Sequence, residues 1–78
     1  MTNVLPTPRQ ADLLRFIRSY IDENNAAPSF EEMRAGIDSA SKSRIHQLLD
    51  GLEERGYVTR LRYRSRALNL TEQGYALK

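Results

Sequence analysis

The sequence predicts one α+β domain, mainly helical, in which a three-helix core is followed by a two-stranded β-hairpin. Three observations support this fold class. Helix-start signals occur at three places, apolar residues follow each of them at helical spacing, and the composition becomes strand-like after residue 56. Because 78 residues are too few for two separate cores, residues 1–78 are expected to form a single domain.

The first helix is predicted at about residues 8–24. Thr7-Pro-Arg-Gln10 combines an N-cap threonine, a proline at the first helical position and a glutamine that closes a capping box. The pattern ends at Asn24-Asn25-Ala-Ala-Pro28, because a proline disfavours helical geometry in the residue before it. The residues predicted to face the core recur at steps of three and four: Leu13, Phe16, Ile17, Tyr20 and Ile21.

Two more helices are predicted at about residues 30–36 and 41–55. Ser29-Phe-Glu-Glu32 is a second capping box, with two acids where the helix dipole favours them. Ser41 is the expected N-cap of the third helix, and Gly56 occupies the position of a C-terminal cap. The predicted core residues of these helices are Phe30, Met33, Ile37, Ile45, Leu48, Leu49 and Leu52.

A hairpin is predicted at about residues 57–71, because this region alternates and is rich in β-branched and aromatic residues around a polar tip. Its register stays open. Alternation places Val58 on one face with Arg60, which leaves no clean apolar face on the first strand. Thr71 is a candidate cap for one final helical turn.

The composition excludes several kinds of site. The chain has no cysteine and one histidine, so a disulfide scaffold, a cysteine-ligated metal and a thiol nucleophile are all excluded. It shows no glycine-rich phosphate loop and no nucleophile with a histidine partner, so we expect no catalytic residues, cofactor, metal or small-molecule ligand. No apolar run approaches the ~18 residues of a membrane span, and the first residues, Met1-Thr-Asn-Val-Leu-Pro, lack the basic region and the apolar core expected of a signal peptide.

The charges are distributed unevenly along the chain. Residues 1–54 contain 6 basic and 9 acidic residues, a net of −3, whereas residues 55–78 contain 6 basic residues and 1 acidic residue, a net of +5. Such asymmetry indicates a face that binds an anion. Three helices followed by an arginine-rich hairpin, with a short turn between the second and third helices, describe a helix-turn-helix domain with a basic ribbon.

The arrangement resembles the winged-helix DNA-binding domain of the LexA repressor family over about residues 5–70. The stretches that resemble it are Thr7-Pro-Arg-Gln10, Leu14-Arg-Phe-Ile-Arg-Ser-Tyr-Ile21, Ala27-Pro-Ser29 with Glu32, Leu49-Asp-Gly-Leu-Glu-Glu-Arg-Gly56 and Ser65-Arg-Ala-Leu-Asn-Leu70. The closing stretch Leu70-Thr-Glu-Gln-Gly-Tyr-Ala-Leu77 is also similar to the end of MarR-type winged helices.

This resemblance implies a sequence-specific, double-stranded DNA-binding transcription regulator of bacterial or phage type, located in the cytoplasm with the nucleoid. It implies that the third helix enters the major groove and that the hairpin, or wing, follows the phosphate backbone. The base-reading positions of the family then fall on Ser41, Ser43, Arg44, His46 and Gln47. LexA-like repressors carry a second, self-cleaving peptidase domain that also makes the dimer. This chain ends before such a domain, so self-cleavage is not expected of it.

The residue chemistry supports the same interface. Arg44 has the donors to bind guanine N7 and O6, and Gln47 matches adenine N6 and N7. Phosphate contacts are expected from Ser41, Lys42 and Ser43. Acids appear only in the second half of the helix, so insertion by its N-terminal end is favoured. In the wing, the residues expected to contact the DNA backbone are Arg60, Arg62, Arg64, Ser65 and Arg66.

Several alternatives remain open. Arg9 either reaches phosphate or pairs with Asp12, and His46 either contacts DNA or is simply exposed. The alternative to DNA contact for the arginine run is a solvated hairpin edge that its charges protect from aggregation. A homodimer or a second regulatory protein is expected to supply additional contacts. The competing function is a protein-interaction module that docks on a transcription or replication protein.

Overall fold

A computed structural model describes residues 5–38, 41–60 and 68–76 of the chain. Within these ranges the chain forms a winged helix of the predicted class. Its elements are α1 (Pro8–Asn24), α2 (Phe30–Gly36), α3 (Lys42–Glu54), β1 (Val58–Arg60), β2 (Leu68–Leu70) and α4 (Glu72–Ala76). The predicted helix bounds are confirmed to within one residue at each end, and Ser41 and Arg55 cap α3 rather than belong to it.

The N-terminal caps form as the sequence predicts. In front of α1, Thr7 Oγ1 accepts from the amide of Gln10 at 3.3 Å, and Gln10 Oε1 accepts from the amide of Thr7 at 3.0 Å. Ser29 and Glu32 make the same reciprocal pair in front of α2, at 3.2 and 2.7 Å. Each capping box satisfies amides that have no partner within the helix.

The C-terminal end of α3 is a Schellman motif. The amide of Gly56 bonds to the carbonyl of Glu53 at 3.0 Å, and the amide of Tyr57 bonds to the carbonyl of Leu52 at 2.9 Å. Gly56 has a φ of +85°, a conformation that costs glycine little and other residues more. The motif turns the chain directly from α3 into β1, and Tyr57 and Leu52 are both buried beneath it.

The core lies where α1, α2 and the first strand pack around α3. The predicted apolar stripe of α3 is confirmed, since Ile45, Leu48, Leu49 and Leu52 are all buried. On α1 the buried stripe is shifted toward Leu14, which is 1% exposed and was missing from the predicted core residues. Further buried members of the core are Leu13, Ile17, Ala27, Met33, Ile37, Tyr57, Val58, Leu68 and Leu70.

The two strands are antiparallel, with Val58 opposite Leu70 and Arg60 opposite Leu68. Val58 is buried, whereas Thr59 is exposed, so the face that carries Val58 and Arg60 is the inner face. The open register is thereby resolved. The inner face of β1 is not fully apolar because Arg60 occupies its second inward position.

Thr71 joins the hairpin to α4 and to the end of α3. Its hydroxyl donates to the carbonyl of Gly56 at 2.6 Å, and its amide donates to the carbonyl of Tyr57 at 3.0 Å. The same hydroxyl accepts from the amide of Gly74 at 3.1 Å, which confirms the predicted cap. Gly74 approaches Tyr57 so closely that a methyl group at Gly74 would overlap the carbonyl oxygen of Tyr57.

Candidate nucleic-acid interface

The first half of α3 presents a continuous polar face to solvent. Its side chains project away from the core because Ile45, Leu48 and Leu49 occupy the opposite side of the helix. All six residues that the sequence predicts for the recognition helix are exposed and lie on this N-terminal half or its cap: Ser41, Lys42, Ser43, Arg44, His46 and Gln47. The structure therefore brings the predicted recognition residues together on one end of one helix.

The N-terminal end of α3 is electropositive. Ser41 Oγ accepts from the amide of Arg44 at 3.2 Å, which satisfies one of the four amides that lack an intrahelical partner. The first turn contains no acid and carries Lys42 and Arg44. Their charges add to the partial positive charge of the helix N-terminus, an arrangement that favours an anionic ligand.

His46 is exposed but its ring is in contact with α2. The centroids of the His46 and Phe30 rings are 4.3 Å apart, and their planes are inclined by 42°. Phe30 itself is half-buried against the core. The sequence left open whether His46 is simply exposed. It gives no local indication of the contact with Phe30, because the two residues are sixteen positions apart.

Glu31, at the beginning of α2, interacts with cations on both α2 and α3. Arg34 donates to Glu31 through Nε at 2.9 Å and through Nη2 at 3.2 Å. This hydrogen-bonded pair lowers the pKa of Glu31 from its usual value, and the positive charge of Lys42 lowers it further. Lys42 thus interacts with α2 across the turn that joins the two helices.

Two of the three acids in the second half of α3, Asp50 and Glu53, are bound by the inward-facing arginine of the first strand. Arg60 Nε and Nη2 donate to Glu53 Oε1 at 3.3 and 3.0 Å, and Nη2 also donates to Asp50 Oδ1. The Arg60 side chain is 12% exposed, compared with 66% for Asp50 and 31% for Glu53. Burial lowers the pKa of Arg60, but the hydrogen bonds to the two carboxylates outweigh burial and raise it above its usual value.

Arg60 has partners in the structure that the sequence did not predict. It was predicted on the DNA backbone with the other wing residues, whereas its side chain is directed at Asp50 and Glu53 of α3. One feature of the sequence is consistent with this inward direction. Alternation along β1 places Arg60 on the same face as the apolar residue Val58. The other predicted wing contacts lie outside the described residues: Arg62, Arg64, Ser65 and Arg66.

Arg9 connects α1 to the end of α2. Its Nη2 donates to the carbonyl of Ile37 at 2.9 Å, and its Nη1 lies 3.6 Å from Asp12 Oδ2. The pairing with Asp12 is thus one of the two alternatives that the sequence left open. Asp12 is shared, since Arg15 Nη1 lies 3.3 Å from its other oxygen.

Two further features concern residues 5–38, 41–60 and 68–76. No helix in those ranges combines the length and apolar character needed to cross a membrane. The same ranges contain no group of three or more histidine, aspartate or glutamate side chains arranged to hold a metal ion.

Comparison with known proteins identifies the family. The sequence model of the LexA DNA binding domain matches residues 4–67, which include α1, α2, α3 and β1. The chain is similar to the LexA repressor of Erythrobacter litoralis, with 46% identity over 67 residues, 86% of this chain and 29% of that protein. It is 45% identical to the LexA repressor of Novosphingobium aromaticivorans over 67 residues, again 86% of this chain and 29% of the relative.

The LexA repressor of Cereibacter sphaeroides is 42% identical over 72 residues, 92% of this chain and 32% of the relative. The chain thus spans about a third of the length of the curated relatives that it matches. The family match covers most of the chain and includes the helix with the exposed polar face. We conclude that the chain belongs to the family of LexA DNA-binding domains.

Proposed function

We propose that this chain is a DNA-binding transcription regulator of bacterial type that recognises duplex DNA through the N-terminal half of α3. The main support is the exposed, electropositive end of α3, where the exposed Ser41 cap and two cations precede any acid of the helix. Membership in a family of repressor DNA-binding domains gives independent support. Repression by occupancy of a DNA site, in the cytoplasm at the nucleoid, is the corresponding mode of action.

Insertion of α3 by its N-terminal end into the major groove accounts for the order of its residues. The major groove admits an α-helix, and the end that enters first here is the cationic one. Arg44 and Gln47 are the proposed base-reading residues, each contributing about 1–3 kcal/mol of discrimination. Ser41, Lys42 and Ser43 are the proposed phosphate contacts, with His46 beside them on the exposed face.

The wing is proposed to follow the DNA backbone. Arg62, Arg64 and Arg66 alternate with Tyr63 and Ser65 in the sequence, and guanidinium groups bind phosphate oxygens in a forked geometry. Arg9 is a proposed additional backbone contact, because its side chain remains 47% exposed despite its bond to Ile37.

The decisive experiment selects bound sequences from a random pool of duplexes with the wild-type chain. Enrichment of one motif is expected, and binding should weaken with salt with a log–log slope of roughly −4 to −6. A palindromic motif would indicate that two copies bind, whereas a single half-site would indicate one copy or a second regulatory protein. A pool without enrichment would contradict the proposal and favour the protein-docking alternative.

Three variants then test the base-reading assignment. Arg44→Ala is expected to relax the preference at one base pair, while Arg44→Lys keeps the charge and should lose the same preference because it lacks the fork. Arg15→Ala is the matched control, since it removes an exposed arginine of α1 that pairs with Asp12. If Arg44→Ala selects the same motif as the wild-type chain, Arg44 does not read a base.

A further inference from the structure

We propose that Arg60 is a positioning residue for DNA binding, which masks the carboxylates of Asp50 and Glu53 on α3 without contacting phosphate itself. The proposal rests on the proposed function. It gives Arg60 a role different from the backbone contact that its place in the arginine-rich hairpin predicts.

The position of Asp50 makes masking necessary. Asp50 lies three residues after Gln47 on α3, and both side chains are exposed. Residues three apart on a helix are neighbours, with Cβ atoms about 5–6 Å apart. The Debye length at physiological salt is ~8 Å, so a carboxylate one helical turn from a base-reading residue is only partly screened from the phosphates near that residue. An unmasked Asp50 would therefore repel DNA.

Arg60 is placed to neutralise both acids at once. Its Nη2 donates to Asp50 and to Glu53, and Nε makes a second bond to Glu53 at 3.3 Å. Arg60 lies opposite buried Leu68 in the strand pairing, on the same face of the hairpin as Val58. With 12% of its side chain exposed, Arg60 is directed into this cluster and away from solvent.

The cluster also ties the base of the wing to the recognition helix. Asp50 and Glu53 belong to α3, and Arg60 is the last residue of β1. These hydrogen bonds join β1 to the part of α3 that comes after the proposed base-reading residues. Arg60 thus acts on DNA through the charge of α3 and through the placement of β1 against it.

A double-mutant cycle separates masking from direct contact. Arg60→Met is prepared in the wild-type background and in an Asp50→Asn/Glu53→Gln background, with Arg60→Lys as the conservative variant. Dissociation constants are measured by fluorescence anisotropy on the duplex selected by the wild-type chain, under conditions where circular dichroism shows every variant folded. Arg15→Met, which removes a cation paired with Asp12 on α1, reports the effect of losing one positive charge outside α3 and the wing.

Masking predicts that Arg60→Met weakens binding about fivefold or more when both acids are present, from the repulsion of two uncovered charges. In the neutral background the same change should cost no more than Arg15→Met does. Arg60→Lys should retain most of the affinity because it keeps the neutralising charge.

Two results would overturn the inference while leaving the proposed function intact. One is an Arg60→Met penalty that is equal or larger in the neutral background, as a direct phosphate contact requires. The other is an Arg60→Met variant that is folded and binds as tightly as the wild type, which would make the cluster purely structural. Failure of the wild-type chain to bind any duplex would instead contradict the proposed function, and with it this inference.

Discussion

The ring of His46 on α3 packs against the ring of Phe30 on α2, with their centroids 4.3 Å apart. This contact joins the exposed face of α3 to a residue that is itself half-buried against the core. His46 is therefore in contact with Phe30 on one side, while the residue as a whole remains exposed. The orientation of this side chain is coupled to the packing of α2.

The His46–Phe30 contact should appear as a coupling energy. We expect the free-energy losses of Phe30→Leu and His46→Ala to be non-additive by about 0.5–1.5 kcal/mol, as for other ring pairs. Phe30→Leu keeps an apolar side chain at the edge of the core, so the cycle isolates the ring contact. Urea unfolding of the two single variants and the double variant measures it. Additivity within about 0.3 kcal/mol would show that the contact contributes nothing to stability.

The N-cap of α3 offers a second test with a close control. Ser41→Ala removes the acceptor for the Arg44 amide and is expected to destabilise the domain by about 1 kcal/mol. Ser43→Ala makes the same chemical change inside the helix, where alanine has a higher helix propensity. Thermal unfolding should therefore show a loss for Ser41→Ala and little change or a small gain for Ser43→Ala. Equal losses of stability for the two variants would contradict the capping role of Ser41.

The close approach of α4 to the end of α3 predicts that Gly74→Ala is destabilising. A methyl group at this position would overlap the Tyr57 carbonyl, which is backbone and is held by the bond from Thr71. We expect a loss of about 1–3 kcal/mol in urea unfolding, together with faster hydrogen exchange of the residue 74 amide.

Gly36→Ala is the matched control for Gly74→Ala. The nearest atoms that its methyl group would meet belong to the ring of Phe16, a half-buried side chain, and not to the backbone. Alanine also favours the helix by about 1 kcal/mol relative to glycine. A loss for Gly36→Ala as large as that for Gly74→Ala would show that the backbone contact is not what restricts position 74.

The pair of Glu31 and Arg34 should be visible in the pH dependence. The hydrogen bond from Arg34 lowers the pKa of Glu31 in the folded state below its usual 4.5. A lowered folded-state pKa adds stability above the unfolded value, and this contribution is lost as the pH falls through the folded value. An NMR titration of the Glu31 carboxyl carbon should therefore give a midpoint below 4.5.

Two variants separate the causes of the Glu31 shift. Arg34→Gln should raise the midpoint most, because its hydrogen bond is the largest cause, and Lys42→Gln should raise it less. Arg15→Gln, which alters the pair with Asp12 on α1, should leave the midpoint in place. A midpoint that ignores Arg34→Gln would contradict the assigned cause.

The features that sequence reasoning located are those that depend on neighbours three or four residues apart. Both capping boxes, the Ser41 cap, the Gly56 turn and the apolar stripe of α3 are confirmed. The stripe of α1 was placed less well, because Leu14 and Tyr20 lie near its two edges. Packing against α2 and α3 selected Leu14 for the core, while the hydroxyl of Tyr20 reaches Glu32 at 2.8 Å.

The amino-acid sequence by itself determined where the helices begin and end and which end of α3 is cationic, since capping and helical spacing act locally. Only the tertiary structure decided the bonds of Arg60 to Asp50 and Glu53, the bond of Arg9 to Ile37 and the contact of His46 with Phe30. These contacts join residues that are 7 to 28 positions apart, and the direction of each side chain depends on how two elements pack. A guanidinium in an arginine-rich hairpin can reach either phosphate or carboxylate. For Arg60, the inward face of β1 and the nearby acids of α3 favour carboxylate.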